Sequence, residues 1–239
     1  MNDIPRIRVD AREGYDLWAR SYDKTPNPLV ALDARYTIAH LKPKAGERIL
    51  DAGCGTGRNM QALLEAGAEI VGVDFSQGMI NFAKQKLPGV SFFTSTLETL
   101  PNELVGFDAV EPGFDAVEAG FDAVLCALVG EHLTDLDRVL ASFHSALNPG
   151  GRITFSVYHP WLAESGVEAN FTLNNKEYRL GAETHTIDDY TRAMSDHSFT
   201  DISTTVYDVD DWLVERVPAA KYLAKPLLVV ITAHKAKHS

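Results

Sequence analysis

The chain has 239 residues, of which 45% are hydrophobic, and a formal net charge of −11. That is enough apolar content for one α/β domain with a sizeable core, and the acidic balance disfavours non-specific binding to nucleic acid or to an anionic membrane surface. Cys54 and Cys126 have no metal-ligand spacing and make no disulfide framework. No stretch approaches the roughly 18 apolar residues of a membrane span, and the segment Met1 to Arg6 has no apolar signal core, so a soluble cytoplasmic protein is expected.

In chain order, residues 1 to 46 precede the first predicted strand. Tyr15, Trp18 and Tyr22 fall at i, i+3 and i+7 and share one face of a predicted helix. This aromatic stripe reads either as core packing or as a lid over a ligand, with Arg20 able to reach a ligand carboxylate. Pro26 and Pro28 break that helix, and Leu29 to Leu41 reads as a second amphipathic helix ending before Pro43. The stretch Arg48 to Asn59 then organises the chain: a short buried strand (Ile49, Leu50), a turn with Gly53, Gly55 and Gly57, and a helix opening at Met60. The glycines let the backbone turn tightly and leave no side chains between it and a ligand. The helix points free N–H groups toward that place, and Asp51 stands at the strand's C-terminal end, where open α/β sheets bind ligands. Amide donors beside a carboxylate suit a ligand that carries both a carboxylate and an ammonium group. A dinucleotide fingerprint needs a third small residue three positions on, and Arg58 or Met60 stands there instead.

A second buried strand, Glu69 to Phe75, contains Asp74, 17 residues past Gly57; an acidic residue at about this spacing binds ribose hydroxyls in nucleotide-type folds. A helix over Gln77 to Lys86, closed by Pro88-Gly89, and a third strand, Val90 to Thr94, follow. Gly-Phe-Asp-Ala-Val then occurs three times, at 106–110, 113–117 and 120–124, too short and too few for a solenoid. The a/d-like spacing of Phe114, Val117, Phe121 and Val124 allows a helical excursion, and glycine every seventh residue weakens it. Only the last copy runs into the predicted strand Phe121 to Leu128. After it come an amphipathic helix, Asp135 to Leu147, with Thr134 as N-cap, the turn Asn148 to Arg152, and a fifth strand, Ile153 to Tyr158. Residues 171–180 read as a hairpin around Asn174-Asn175, and Thr186 caps a helix over Ile187 to Ser195 with Asp188 and Asp189 in its first turn. Strands Ile202 to Tyr207 and Leu227 to Ala233, with a helical stretch around Trp212 to Leu223 between them, close the sheet as an antiparallel pair.

Asp51-Ala52-Gly53-Cys54-Gly55-Thr56-Gly57 resembles motif I of the class I S-adenosylmethionine-dependent methyltransferases. Tyr15-Asp16-Leu17-Trp18-Ala19-Arg20-Ser21-Tyr22-Asp23 resembles the Y-D-x-x-A-x-x-Y-D element of small-molecule members, and Leu147-Asn148-Pro149-Gly150-Gly151 resembles their L-x-P-G-G turn. The resemblance covers about residues 15 to 158 and is nearest to the ubiquinone/menaquinone-biosynthesis-like group. It implies a single Rossmann-like α/β domain, with a mostly parallel seven-stranded sheet, an antiparallel last strand and helices on both faces. Within it, 1–46 is a helical lid, 47–158 the cofactor-binding half, 159–200 a substrate-side insert and 201–239 the C-terminal strands. Removing 106–119 leaves the usual length of this connection, so those 14 residues read as a tandem insertion.

The implied cofactor is S-adenosyl-L-methionine, and the product is S-adenosyl-L-homocysteine. Tyr15, Trp18, Arg20 and Tyr22 would fold over it, and Asp51, Gly53, Gly55 and Gly57 would cradle it. Asp74 would hold both ribose hydroxyls, with Phe75 and Met79 against the adenine. Thr96, Leu97 and Glu98 occupy the place of an adenine-contacting Asp; Thr96 replaces that Asp, and Glu98 or a backbone carbonyl can substitute. Ala127 and His132 would lie near the methionine end.

Methyl transfer from a sulfonium needs the acceptor aligned and close, and a hydroxyl acceptor also needs its proton removed. Histidine suits proton removal near neutral pH. His159, just past the fifth strand, is the first candidate, then His185 and His132. No H-E-x-x-H or cysteine cluster supports a metal site, and no D/N-P-P-Y/F follows the fourth strand, where base-methylating enzymes carry it. The reading is methyl transfer to a small-molecule acceptor, first of all at oxygen, with no nucleic acid and no membrane as partner. The alternatives are a protein or RNA substrate, or a non-catalytic binder of the cofactor. The acceptor is expected under a roof made by Tyr15, Trp18 and Tyr22 and by the insert from His159 to His185.

Overall fold

The computed structural model describes residues 4–101, 104 and 120–237. Among these the chain forms, in order, β1 (Arg6–Arg8), α1 (Ala11–Trp18), α2 (Pro28–Leu41), β2 (Arg48–Ala52), α3 (Met60–Glu65), β3 (Glu69–Asp74), α4 (Gln77–Lys86), β4 (Ser91–Thr94), β5 (Phe121–Ala127), α5 (Leu136–Ala146), β6 (Leu147–Tyr158), α6 (Trp161–Glu164), β7 (Asn170–Leu173), β8 (Lys176–Arg179), α7 (Ile187–Asp196), β9 (Phe199–Asp208), α8 (Asp211–Val214) and β10 (Pro226–Lys235).

Seven strands make the main sheet in the order β4-β3-β2-β5-β6-β10-β9. The pairs from β4 through β6 are parallel, and β10 runs antiparallel to both β6 and β9. The expected antiparallel closure is therefore present. Strands buried on both faces read as near-continuous apolar runs, and their alternate residues supply two cores. Leu50, Val73, Val124 and Cys126 pack with α5 and α7 through Val139, Leu140, Phe143 and Met194. Ile49, Ile70, Ala123 and Leu125 pack with α2, α3 and α4 through Leu41, Leu63 and Ile80. Helices thus cover both faces. The strand order reverses between β2 and β5, so the crevice where such sheets bind ligands lies beyond the C-terminal ends of these two strands.

A second, three-stranded sheet in the order β1-β8-β7 stands apart from the first. Its hairpin turns at Asn174 and Asn175, both with positive φ (50° and 58°), as a two-residue asparagine turn requires. The strand β1 was not predicted: three residues carry no periodicity, and Arg6 to Arg8 pair in parallel with Glu177 to Arg179 across more than two thirds of the chain. This small sheet packs on Trp18 through Phe171 and Leu180.

Several expected boundaries move for local reasons. Pro28 opens α2 rather than ending a helix: the Asn27 side chain accepts from the Leu29 N–H at 2.9 Å, and proline suits the first helical position. The helix α1 ends at Trp18, so Tyr22 opens a separate 3₁₀ turn, Tyr22–Lys24. Asp135, not Thr134, caps α5 by accepting from the Arg138 N–H at 2.9 Å. Thr186 does cap α7, in a reciprocal capping box with Asp189. Of the three Gly-Phe-Asp-Ala-Val copies, the last leads into β5, where Phe121, Ala123 and Val124 are fully buried. The segment 106–119 lies outside the described residues.

Candidate functional site

The turn after β2 is held from within. The N–H groups of Gly53 and Cys54 donate to the Val73 carbonyl, at 2.7 and 3.0 Å, and Gly57 donates to the Cys54 carbonyl at 2.9 Å. Gly55 donates to Asp74 Oδ2 and Ser76 to Asp74 Oδ1, both at 2.8 Å. The expectation of amide donors at this turn is corrected for its glycines and Cys54: the amides of Gly53, Cys54 and Gly55 tie β2 to β3, and that of Gly57 closes the turn on itself, while α3 begins at Met60 as expected. The turn offers space instead. A side chain at Gly55, where φ is +54°, would meet no atom within 4 Å, whereas one at Gly53 would strike Val129.

That space is part of a cleft of about 890 Å³, counted with its open mouth, at the switch point of the sheet; ligand pockets are commonly ~300–1,000 Å³. Asp51, Gly53 and Gly55 line it from the end of β2, Asp74, Phe75 and Met79 from β3 and α4, Thr96, Leu97 and Glu98 from beyond β4, Ala127 and His132 from the end of β5 and beyond, and Tyr15 and Tyr22 from the N-terminal segment. The structure brings these predicted residues together. It leaves out three others. Trp18 is buried against Phe171, 5.0 Å between ring centroids, and lines a neighbouring cleft. Arg20 is exposed and lines neither cleft. Gly57 faces Leu87, Met60 and Ala83.

Arg58 takes the place expected of Arg20. It lines the cleft and pairs with the fully buried Asp33 at 2.7 Å. Asp33 in turn accepts from Thr37 and Ser156. Sequence reading passed over Arg58 because its partner lies on a different helix, 25 residues earlier. Ser95 and Val129 also line the cleft, and so does Leu128, whose φ of +57° turns the chain sharply at the end of β5. Such a conformation costs a leucine about 1–2 kcal/mol and gathers at functional sites.

The two acids at the cleft are poised rather than satisfied. Asp51 Oδ2 is buried without a hydrogen-bond partner. Burial pushes its pKa up to about 7, against the pull of Arg58. Burial also raises Asp74 to about 6, although the Ser76 and Gly55 amides favour its charged form.

A second cleft adjoins the first, sharing Tyr15, Tyr22 and Leu128 as walls. It lies between the N-terminal segment, the end of β6 and the residues before β7, and Trp18, Tyr158, Leu162 and Tyr222 line it. The expected roof of N-terminal aromatics and insert is present here. The expected base is not. His159 lines neither cleft: its backbone continues the pairing with β10 through Leu227, and its Nδ1 accepts weakly from the Trp161 N–H at 3.4 Å. His185 also lines neither and bonds the Leu133 carbonyl at 2.6 Å. His132 does line the first cleft, with Nε2 2.9 Å from the Tyr15 hydroxyl, and burial lowers its pKa to about 4. Among the described residues no cluster of His, Cys, Asp and Glu is placed to hold a metal ion, and no helix is long and apolar enough to cross a membrane.

Residues 50–153 match the family described as "Methyltransferase domain". Over 103 residues the chain is 38% identical to the demethylmenaquinone methyltransferase of Clavibacter sepedonicus, covering 40% of this chain and 42% of that protein. Over 115 residues it is 29% identical to a ubiquinone biosynthesis O-methyltransferase of Coxiella burnetii, covering 46% and 43%. The chain thus aligns with less than half the length of these curated relatives. A solved S-adenosylmethionine-dependent methyltransferase from Mesorhizobium loti superposes with a TM-score of 0.64 at 22% identity, covering 85% of this chain and 97% of that one. The [4+2]-cyclase SpnF superposes with a TM-score of 0.67 at 17% identity, covering 99% and 100%. Residues 50–153 thus match a methyltransferase domain, and the chain has the fold of the solved S-adenosylmethionine-dependent methyltransferases.

Proposed function

We propose that the chain transfers a methyl group from S-adenosylmethionine to a hydroxyl of a small-molecule acceptor. The observation that carries this reading is the buried, unpartnered Asp51 carboxylate beside the open space over Gly55. Few groups other than a cation can occupy that place without leaving the carboxylate costly. The cofactor's ammonium satisfies Asp51. Asp74 keeps lone pairs free for two ribose hydroxyls after accepting from Gly55 and Ser76. Phe75 and Met79 offer apolar walls for an adenine, and Glu98, which lines the same cleft, offers an acceptor for its amino group. When bound, S-adenosylmethionine supplies an electrophilic methyl group on a sulfonium. The chain then has to exclude water and align the acceptor. Tyr15 and Tyr22, which line both clefts, form the partition through which the methyl group passes.

The acceptor belongs in the second cleft. Its mainly aromatic and apolar walls, with polar groups at Asn27, Glu131, Glu168 and Lys221, suit a small molecule better than a polypeptide or RNA, which would need an open basic groove. The names of the relatives, a demethylmenaquinone methyltransferase and a ubiquinone biosynthesis O-methyltransferase, support the same class. We also read 106–119 as an insertion that leaves the rest of the domain intact.

The fold of SpnF, a [4+2]-cyclase, makes turnover the necessary test. The full chain with S-adenosylmethionine and a panel of phenols and amines should release S-adenosylhomocysteine and a methylated phenol, read by mass spectrometry. A chain that binds S-adenosylhomocysteine yet methylates no member of the panel would instead be a binder or carry other chemistry.

A further inference from the structure

Two oxygen atoms of the second cleft are buried without a hydrogen-bond partner: Glu131 Oε2 and the Tyr158 hydroxyl. Both side chains are closed off from solvent, with Glu131 10% exposed and Tyr158 8%. Buried polar atoms in native structures are nearly always paired, so two orphans in one cleft mark places that a ligand fills. They are also complementary. A carboxylate oxygen can only accept, and a phenol hydroxyl can donate. A hydroxyl is the group that can serve either one, donating its proton to the carboxylate or accepting from the phenol. A protonated amine has no lone pair to offer Tyr158.

Position points the same way. Glu131 and His132 are consecutive in the 3₁₀ turn Gly130–His132, and they line the second and the first cleft respectively. The carboxylate therefore stands at the wall nearest the cofactor cleft. Oε2 is the unpartnered oxygen: the residue's own backbone N–H donates to the carboxylate, and His132 Nε2, 3.9 Å from Glu131 Oε1 and beyond hydrogen-bond range, is bonded to Tyr15. Burial raises the Glu131 carboxyl to about 7, which suits a general base near neutral pH. His132, held neutral at about 4, is too weak a base.

We propose that the second cleft takes an apolar acceptor of the phenol class, and that Glu131 is the catalytic base and Tyr158 the group that orients the reacting oxygen. This rests on the methyltransferase reading above. The acceptor's O–H bond breaks, and its proton goes to Glu131 Oε2. The oxygen keeps the electron pair and forms the O–CH₃ bond while the carbon–sulfur bond breaks, its pair staying on sulfur. Glu131 returns the proton to water after product leaves through the cleft mouth.

The test uses the full chain and the variants Glu131→Gln, Tyr158→Phe and, as a control, His159→Ala. Calorimetry first measures S-adenosylhomocysteine, then 4-nitrophenol and 2-naphthol added to the complex; turnover follows with the phenol that binds best. All four proteins should bind S-adenosylhomocysteine alike. Loss of a hydrogen-bond partner should weaken phenol binding about tenfold in Tyr158→Phe, and exchange of a charged acceptor for a neutral one should weaken it by a smaller factor, about threefold, in Glu131→Gln. In addition, kcat should fall about 10²–10⁴-fold in Glu131→Gln, while His159→Ala keeps the wild-type kcat and KM. Phenol binding and kcat in Glu131→Gln equal to wild type would overturn the assignment, as would a wild-type chain that binds S-adenosylhomocysteine but neither phenol. A wild-type chain that does not bind S-adenosylhomocysteine would overturn the underlying reading instead.

Discussion

The two clefts share a wall at Tyr15, Tyr22 and Leu128 but are assembled in different ways. The first is made mostly of the ends of β2, β3, β4 and β5, which are neighbours in the sheet, and its two buried aspartates, Asp51 and Asp74, sit in β2 and β3. The second gathers the N-terminal segment, the 3₁₀ turn at Glu131, the end of β6, the approach to β7 and Leu227 of β10. The cofactor side is therefore set by local backbone geometry and the sheet. The acceptor side depends on contacts between segments far apart in sequence, which can vary without disturbing the sheet. Substitutions in the first cleft should abolish binding of the cofactor, and substitutions in the second should leave it alone.

The largest effect is expected at Gly55. Its φ of +54° disfavours any side chain, and the open space over it is the space proposed for the cofactor. Gly55→Val should weaken S-adenosylhomocysteine binding by at least ~3 kcal/mol, read by calorimetry on a protein whose circular dichroism is unchanged. Retained affinity would place the ligand elsewhere. Asp74→Ala should cost about 2–4 kcal/mol of the same affinity, because two hydroxyls lose a charged acceptor. Asp74→Asn separates this from the lost support of Gly55 and Ser76, since the amide oxygen can still hold one of the two N–H groups.

A third, smaller effect is one of pH. Burial raises Asp51 and Glu131 to about 7 and Asp74 to about 6 in the folded chain, whereas unfolded carboxyls titrate near ~4. Between about pH 4 and 7 these carboxyls hold protons in the folded chain that they have released in the unfolded one. These three groups therefore lower stability progressively as pH rises through that window. His132, lowered to about 4, is neutral in the folded chain and acts in the opposite sense below an ordinary histidine pKa of ~6.5. Glu47, lowered by Arg152, acts in the same sense as His132, but only as pH falls below its ordinary range. An ammonium on Asp51 relieves part of the cost at high pH. S-adenosylhomocysteine should thus raise the melting temperature more at pH 8 than at pH 5.5; an equal shift at both would remove Asp51 from the ammonium site.

The smallest effect should come from deleting 106–119. If those residues are an insertion outside both clefts, the shortened chain should fold and bind S-adenosylhomocysteine within about threefold of the full chain, since loop length costs only ~0.6 kcal/mol per doubling. An insoluble or non-binding product would mean that the segment is built into the core or the site.

The difference between the clefts also explains what the sequence revealed. Asp51, Gly53, Gly55 and Asp74 were legible because their spacing follows from strand, turn and helix geometry, and the mostly parallel seven-stranded sheet followed from the family resemblance. Arg58 lies in that same stretch yet was missed, because its role comes from the buried Asp33 of α2. His159 was favoured because it follows a strand end. The structure shows that its backbone keeps pairing with β10, so its ring never turns toward the clefts. Glu131 and Tyr158 stand next to His132 and His159, which the sequence did single out, but were not themselves chosen: their significance is the absence of partners, which only three-dimensional packing discloses. The strand β1 was hidden for a similar reason, being defined by a partner 171 residues away.

The most direct test of the account is a calorimetric titration of the full chain with S-adenosylhomocysteine and, separately, with NADH. The carboxylate at Asp51, the open space over Gly55 and the missing third fingerprint glycine predict binding of the first at micromolar strength or tighter and none of the second. Binding of NADH with no binding of S-adenosylhomocysteine would contradict it.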